Sequence, residues 1–178
     1  MSIHVYSGIG HIDVQGCWLA LTPTPGRACW GGEAYFTCDV DLHTISAEGW
    51  PTEAGEVSLV YTPGQVESMP RYLISASEIG IKGWDFLVSF DDTMTFFVHS
   101  EVPDFYSSDP LTWEPRPYEL RVRWGDGIVS FWRDGVLVGT RTMTQAPKGV
   151  PSTALIGSAG GVLNANGSIS SLRVRSLK

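Results

Sequence analysis

The chain has 178 residues, with 17% charged, 11% aromatic, 20 glycines and 11 prolines. That mix suits many short strands with tight turns around one real core, and it excludes helical bundles and disorder. A formal net charge of −7 leaves a nucleic-acid backbone or an anionic membrane without the excess of Lys and Arg that either requires. Residues 1–33 read as Gly/Pro-rich loops with short strands, His4-Val5-Tyr6 and Cys17 to Leu21. The start of the chain, MSIHVYSGIGHID, carries no basic region followed by an apolar one, so no secretory signal is expected. No apolar run is long enough to span a bilayer.

From Ala34 a clean period of two begins. Ala34, Phe36, Cys38, Val40 and Leu42 alternate with Tyr35, Thr37, Asp39, Asp41 and His43, which predicts one half-buried strand with Phe36 and Val40 inward. Further strands are expected over Glu56–Tyr61, Arg71–Ser77, Gly83–Phe90 and Thr93–Ser100, punctuated by Pro63-Gly64 and Asp91-Asp92. Residues 101–117 (EVPDFYSSDPLTWEPRP) hold four prolines and no alternation, and predict a long surface loop. Loops of that length are uncommon in compact domains and are often functional. Residues 144–153 form a second Pro/Gly-rich connection.

The segment Tyr118 to Gly139, YELRVRWGDGIVSFWRDGVLVG, predicts three strands joined at Gly125-Asp126-Gly127 and Asp134-Gly135. Asp-Gly between apolar strands signals a type I′ turn, whose two central residues both need positive φ. Leu120, Val122 and Trp124 alternate with Glu119, Arg121 and Arg123, so the first strand has an apolar and a charged face. In the closing strand Leu172 and Val174 face inward, which sends Arg173 and Arg175 outward.

The order of these strands, the strand–DG–WRDGVLVG hairpin, ALIGSAGG and NGSISSLRVRSL together resemble laminin-G-like domains of the concanavalin A-like lectin/glucanase superfamily. The resemblance is firmest over residues 34–177. It implies an all-β, two-sheet antiparallel β-sandwich (a jelly roll) built as a single domain over residues 1–178. It also implies a non-catalytic recognition or adhesion protein with a lectin-like, glycan-binding fold. Bacteriophage particles carry domains of this kind as tail, fibre or capsid-decorating proteins. The expected location is therefore a virion surface, after assembly in the host cytoplasm and without membrane insertion. The expected partners are glycan or other virion proteins, in a homo-oligomer or larger assembly. The same sandwich also hosts purely structural assembly proteins and glycoside hydrolases, which stand as alternatives.

Glycosidases of this class use a Glu-x-Asp-x-Glu strand, and retaining chemistry needs two carboxyl groups about 5 Å apart. Asp39, Asp41 and His43 are the nearest match here, with no Glu among them, so they read as the wet face of a strand. Some relatives bind calcium through rim carboxylates. Asp91, Asp92, Asp104, Asp109 and Asp126 all lie in turns without an ordered ligand spacing, so no metal or other cofactor is expected. Cys17, Cys29 and Cys38 lack metal-type spacing and read as free thiols. Arg121, Arg123, Arg173 and Arg175 form two outward R-x-R pairs. They read either as cross-strand ion pairs with Glu119, Asp39 or Asp41, the favoured reading, or as a site for a sulfated or carboxylated sugar.

Aromatic rings are the other resource, since apolar faces of sugars stack on them and protein interfaces are rich in them. Trp84, Trp124 and Trp18 fall in phase with apolar neighbours and read as core. Trp30, Trp50 and Trp113 sit in Gly/Pro-rich segments, and Trp132 is out of phase with Val129 and Phe131, hence exposed. The glycan or partner contact is accordingly expected at Phe105, Tyr106, Trp113 and Arg116 of the 101–117 segment, together with Trp132. Each loop tryptophan has an alternative role as a plug over the core edge.

Overall fold

The computed structural model describes residues 27–29, 33–36, 43–64, 70–159 and 163–177, and among them there is no helix. The strands in chain order are β1 (Arg27–Cys29), β2 (Glu33–Phe36), β3 (His43–Ser46), β4 (Gly55–Pro63), β5 (Arg71–Glu78), β6 (Lys82–Val88), β7 (Met94–Val98) and β8 (Asp104–Ser107). They continue with β9 (Tyr118–Gly125), β10 (Ile128–Arg133), β11 (Val136–Thr142), β12 (Thr153–Ile156), β13 (Ser158–Ala159), β14 (Leu163–Asn164) and β15 (Gly167–Ser176). One sheet has seven strands, ordered β1-β15-β4-β9-β10-β11 with β2 also on β15; the other has six, ordered β3-β12-β5-β6-β7-β8. Neighbours pair antiparallel within both sheets. The protein is a two-sheet antiparallel sandwich of the jelly-roll type.

Local sequence accounts for the best-defined hairpins. Asp126 and Gly127 have φ of 52° and 73°, and Asp134 and Gly135 have φ of 52° and 77°, so both Asp-Gly turns adopt the left-handed conformation they require. In β9 Tyr118, Leu120, Val122 and Trp124 are buried while Glu119 and Arg123 are exposed, and Leu172 and Val174 of β15 are buried as well.

Between the sheets the core is aromatic at its centre. Trp84 from the six-stranded sheet lies 5.2 Å from Trp124 of the seven-stranded sheet, and Phe96 stacks on Trp124 at 4.7 Å. Trp50, from a Gly/Pro-rich segment, is buried too and stacks on Trp84 at 5.7 Å. Both central indoles find acceptors: Trp84 donates to the Pro51 carbonyl (3.1 Å) and Trp124 to that of Thr52 (2.9 Å). Burying a large apolar side chain contributes about 1.5–3 kcal/mol, so this cluster holds the two sheets together.

Two expectations need correction. The single strand expected over residues 34–43 is divided: β2 pairs with β15 in one sheet, whereas β3 pairs with β12 in the other. A continuous alternation cannot signal a change of sheet, because a period of two reports the two faces of a strand and not its pairing partner. The 101–117 segment is not all loop either. Asp104–Ser107 forms β8, the edge strand beside β7. The expected strands at His4–Tyr6 and Cys17–Leu21 lie outside the described residues. So do Cys17, Trp18, Trp30, Cys38, Asp39, Val40 and Asp41, and the side chains of Cys29, Phe36 and His43.

Candidate functional site

The outer face of the six-stranded sheet is built from rows of residues in register. Ser75, Asp85, Phe97 and Phe105 stand opposite one another across β5, β6, β7 and β8, and Leu87, Thr95 and Ser107 form the next row. Residues opposite each other on adjacent strands share a face, so each row projects as a line of neighbouring side chains.

At the rim, Phe105 is 60% exposed and lies nearly parallel to Phe97, with ring centroids 4.1 Å apart and planes 10° apart. Phe97 in turn contacts the His99 ring at 4.1 Å. Further in, His99 Nε2 lies 2.7 Å from Asp85 Oδ2, with both residues almost wholly buried. The Gly80 N–H donates to His99 Nδ1 (3.4 Å), so the ring proton sits on Nε2 and is donated to Asp85. With both ring nitrogens engaged and no access to solvent, this dyad acts as a support for the aromatic rim. Asp85 Oδ1 is buried without a hydrogen-bond partner.

A line of hydroxyls runs beside the rings. Ser107 and Thr95 are 2.8 Å apart, Thr95 and Thr93 3.2 Å, and Thr93 donates to Asp91 at 2.8 Å. Thr93 and Thr95 are buried, so the half-buried Ser107 is the hydroxyl of this line presented near the exposed ring. A ring with a hydroxyl neighbour matches the two-sided chemistry of a sugar, which has apolar C–H faces and a polar rim.

Of the residues expected to form the contact, only Phe105 is freely presented. Tyr106 points the opposite way and is buried; its hydroxyl donates to Asp104 (2.5 Å) and accepts from the Thr144 N–H (3.0 Å), tying β8 to the 144–153 connection. Burial would push the Asp104 carboxyl up, but hydrogen bonds from Thr144, Tyr106 and the Phe105 N–H outweigh it and hold the pKa below the usual value.

Trp113 takes the plug position. It is 9% exposed, lies edge-on to Tyr61 and Tyr118, and donates from Nε1 to the Asp92 carbonyl at 3.0 Å. Arg116 lies over the Tyr118 ring at 3.9 Å and pairs with Asp134 at 3.1 Å. Trp113 and Arg116 therefore converge on Tyr118, away from Phe105. Trp132 lies on the other sheet, half-buried, with the Arg121 guanidinium 4.4 Å from its ring centroid.

Two of the acids favoured as partners of the outward arginines, Asp39 and Asp41, lie outside the described residues, so the pairing can be read only for Glu119. Arg175 pairs with Glu56 at 2.6 Å, but among the described residues Arg121, Arg123 and Arg173 make no ion pair. Sequence reasoning missed Asp85, Phe97 and His99. Their signal was present as an acid inside the apolar run GWDFLVSF and a histidine closing TMTFFVHS. Among the described residues no group of three or more His, Cys, Asp or Glu could hold a metal ion, and no helix is long and apolar enough to cross a membrane.

No protein-family model matches the sequence, and no curated protein matches it. Solved structures do share the fold. A structure of botulinum neurotoxin type C, whose cell entry is dependent upon interaction with two ganglioside molecules, superposes with a TM-score of 0.59 at 9% identity. That match covers 85% of this chain but only 43% of the toxin chain. The heptameric SAP-like pentraxin of Limulus polyphemus matches at 0.56 and 15% identity, covering 86% of this chain and 78% of the pentraxin. The CBM40 of Ruminococcus gnavus IT-sialidase, bound to alpha2,3 sialyllactose, matches at 0.54 and 13% identity, over 70% of this chain and 75% of its own. At these identities the likeness is one of fold, the two-sheet jelly-roll sandwich.

Proposed function

We propose that this protein is a non-catalytic recognition module that binds glycan on the β7–β8 rim of the six-stranded sheet. The observation that carries this reading is the Phe105 ring, 60% exposed and backed in parallel by Phe97, beside the half-buried Ser107, whose hydroxyl is anchored on the buried Thr95. A ring held flat by a second ring loses little freedom when a sugar stacks on it, which lowers the entropic cost of binding. Both ring nitrogens of His99 are engaged and the Asp85 carboxylate it contacts is buried beneath the rim, an arrangement that supports a binding surface over a catalytic one. Fold neighbours whose names include a ganglioside interaction and a bound sialyllactose support a carbohydrate ligand.

A glycan array probed with the wild type and with Phe105→Ala tests the reading. Binding to a restricted set of glycans is expected, lost in the variant with unchanged thermal stability. An array blank for both proteins contradicts it. For the setting, we carry forward the bacteriophage virion surface, on the support of the sequence resemblance. Antibody labelling of purified particles that contain the protein is the expected result there, and its presence only in the unassembled fraction the contrary one.

A further inference from the structure

The outer face of the seven-stranded sheet carries a second feature, independent of the Phe105 rim. Glu56 lies between Arg123 on β9 and Arg175 on β15 in one cross-strand row; Ser58 lies between Arg121 and Arg173 in the next. Both rows extend onto β10, where Ser130 stands opposite Arg123 and Trp132 opposite Arg121. Alternate residues on a strand are about 7 Å apart and strands two apart are separated by about 10 Å, so the four arginines mark the corners of a small rectangle.

Charge on this rectangle is opposite in sign to that of the molecule. The whole chain has 12 Lys and Arg against 19 Asp and Glu. Among the described residues four guanidiniums stand here with Glu56 at the centre of one edge, Glu119 beyond Arg121 and Asp126 at the turn beside Arg123. Glu56 is consumed by Arg175 at 2.6 Å. Arg123 and Arg173 are exposed, and among the described residues they make no ion pair. Arg121 is held in place by the Trp132 ring at 4.4 Å, which fixes the guanidinium without neutralising it. Beside Arg123 lies a pocket of about 280 Å³, lined also by Trp124, Asp126, Ile128, Ser130 and Leu177. Hydroxyls of Ser130 and Thr140, 3.3 Å apart, border the same row.

We propose that this face is a binding site for an anionic glycan, a polysaccharide bearing sulfate or carboxylate groups. Guanidiniums recognise both anions through paired N–H donors, whereas the hydroxyls, the indole and the shallow pocket suit the sugar that carries them. A nucleic acid is the less suitable polyanion, because the acid-rich remainder of the chain repels a long, uniformly charged duplex.

The test is calorimetric titration of the full chain with heparin, with polygalacturonate, with uncharged dextran and with duplex DNA. Heparin or polygalacturonate is expected to bind and dextran is not; binding of polygalacturonate shows that carboxylate suffices, whereas binding of heparin alone, which carries both groups, shows that sulfate is required. Binding should weaken tenfold or more when ionic strength is raised so that the Debye length falls from about 10 Å to about 3 Å. The variant Arg123→Gln/Arg173→Gln should weaken it tenfold or more at unchanged melting temperature. Arg123→Lys should recover part of the loss, since it restores charge without the planar fork. Phe105→Ala should leave it unchanged, which separates this site from the proposed rim site. The proposal is overturned if neither anionic glycan binds at low salt, if the double glutamine variant binds undiminished, if Phe105→Ala abolishes binding, or if DNA binds as tightly as the better glycan.

Discussion

Trp113 and Phe105 lie within one short stretch of chain, yet the fold assigns them opposite tasks. Trp113 closes the core edge against Tyr61 and Tyr118, and two guanidiniums, Arg71 and Arg133, lie 5.7 and 5.5 Å from its ring. Trp113→Ala is therefore expected to cost about 3–5 kcal/mol, read as a lowered denaturation midpoint. Phe105→Ala removes an exposed ring and should shift the same midpoint by no more than about 0.5 kcal/mol. Equal midpoints for the two variants would contradict the assignment. Tyr61 offers a second test. Burial pushes its phenol up to about 12, against a smaller opposing effect of Arg71, while its hydroxyl donates to the Ala165 carbonyl at 2.6 Å. The unfolded chain releases this proton first, near pH 10. Stability from this group is thus complete below about pH 10 and is lost as pH rises through the folded value. Tyr61→Phe should flatten that alkaline decline, measured by chemical denaturation across the range; an unaltered decline would show that other groups cause it.

At the scale of elements, the rim depends on how the segment after β8 is laid against β11. The Asp109 N–H donates to the Val138 carbonyl at 3.1 Å, and Arg141 pairs with Asp109 at 2.9 Å. Gly139 permits this approach, because a Cβ there would sit 2.7 Å from the Ser108 Cα. Gly139→Ala is expected to destabilise the fold by about 1–3 kcal/mol and to raise amide exchange around Ser108 and Asp109. Exchange that is unchanged there would remove the close approach as a determinant. Much of this level was legible in sequence, because the Asp-Gly turns and the alternation of β9 and β15 are local signals. The switch of sheet between β2 and β3 was not, since it depends on which partner each half finds. Asp104–Ser107 was hidden for a related reason. An edge strand of four residues between prolines has too short an alternation to stand out. Phe105 was named from its loop-like segment and the structure shows its ring exposed, but the Phe97–His99–Asp85 ladder beneath it is assembled from separate strands and exists only in cross-strand register.

For the molecule as a whole, the two sheets present chemically different outer faces on one aromatic core. The six-stranded sheet offers a ring and hydroxyls at its rim, and the seven-stranded sheet offers guanidiniums on an otherwise acidic chain. Glycan binding at the β7–β8 rim is read by mapping backbone amide chemical shifts while the best glycan from the array is titrated into the isotope-labelled protein. Saturable shifts clustered at Phe97, Phe105 and Ser107 and their strand neighbours are expected, absent in Phe105→Ala. Shifts confined to another surface, or an uncharged glycan that binds equally well without the Phe105 ring, would contradict it.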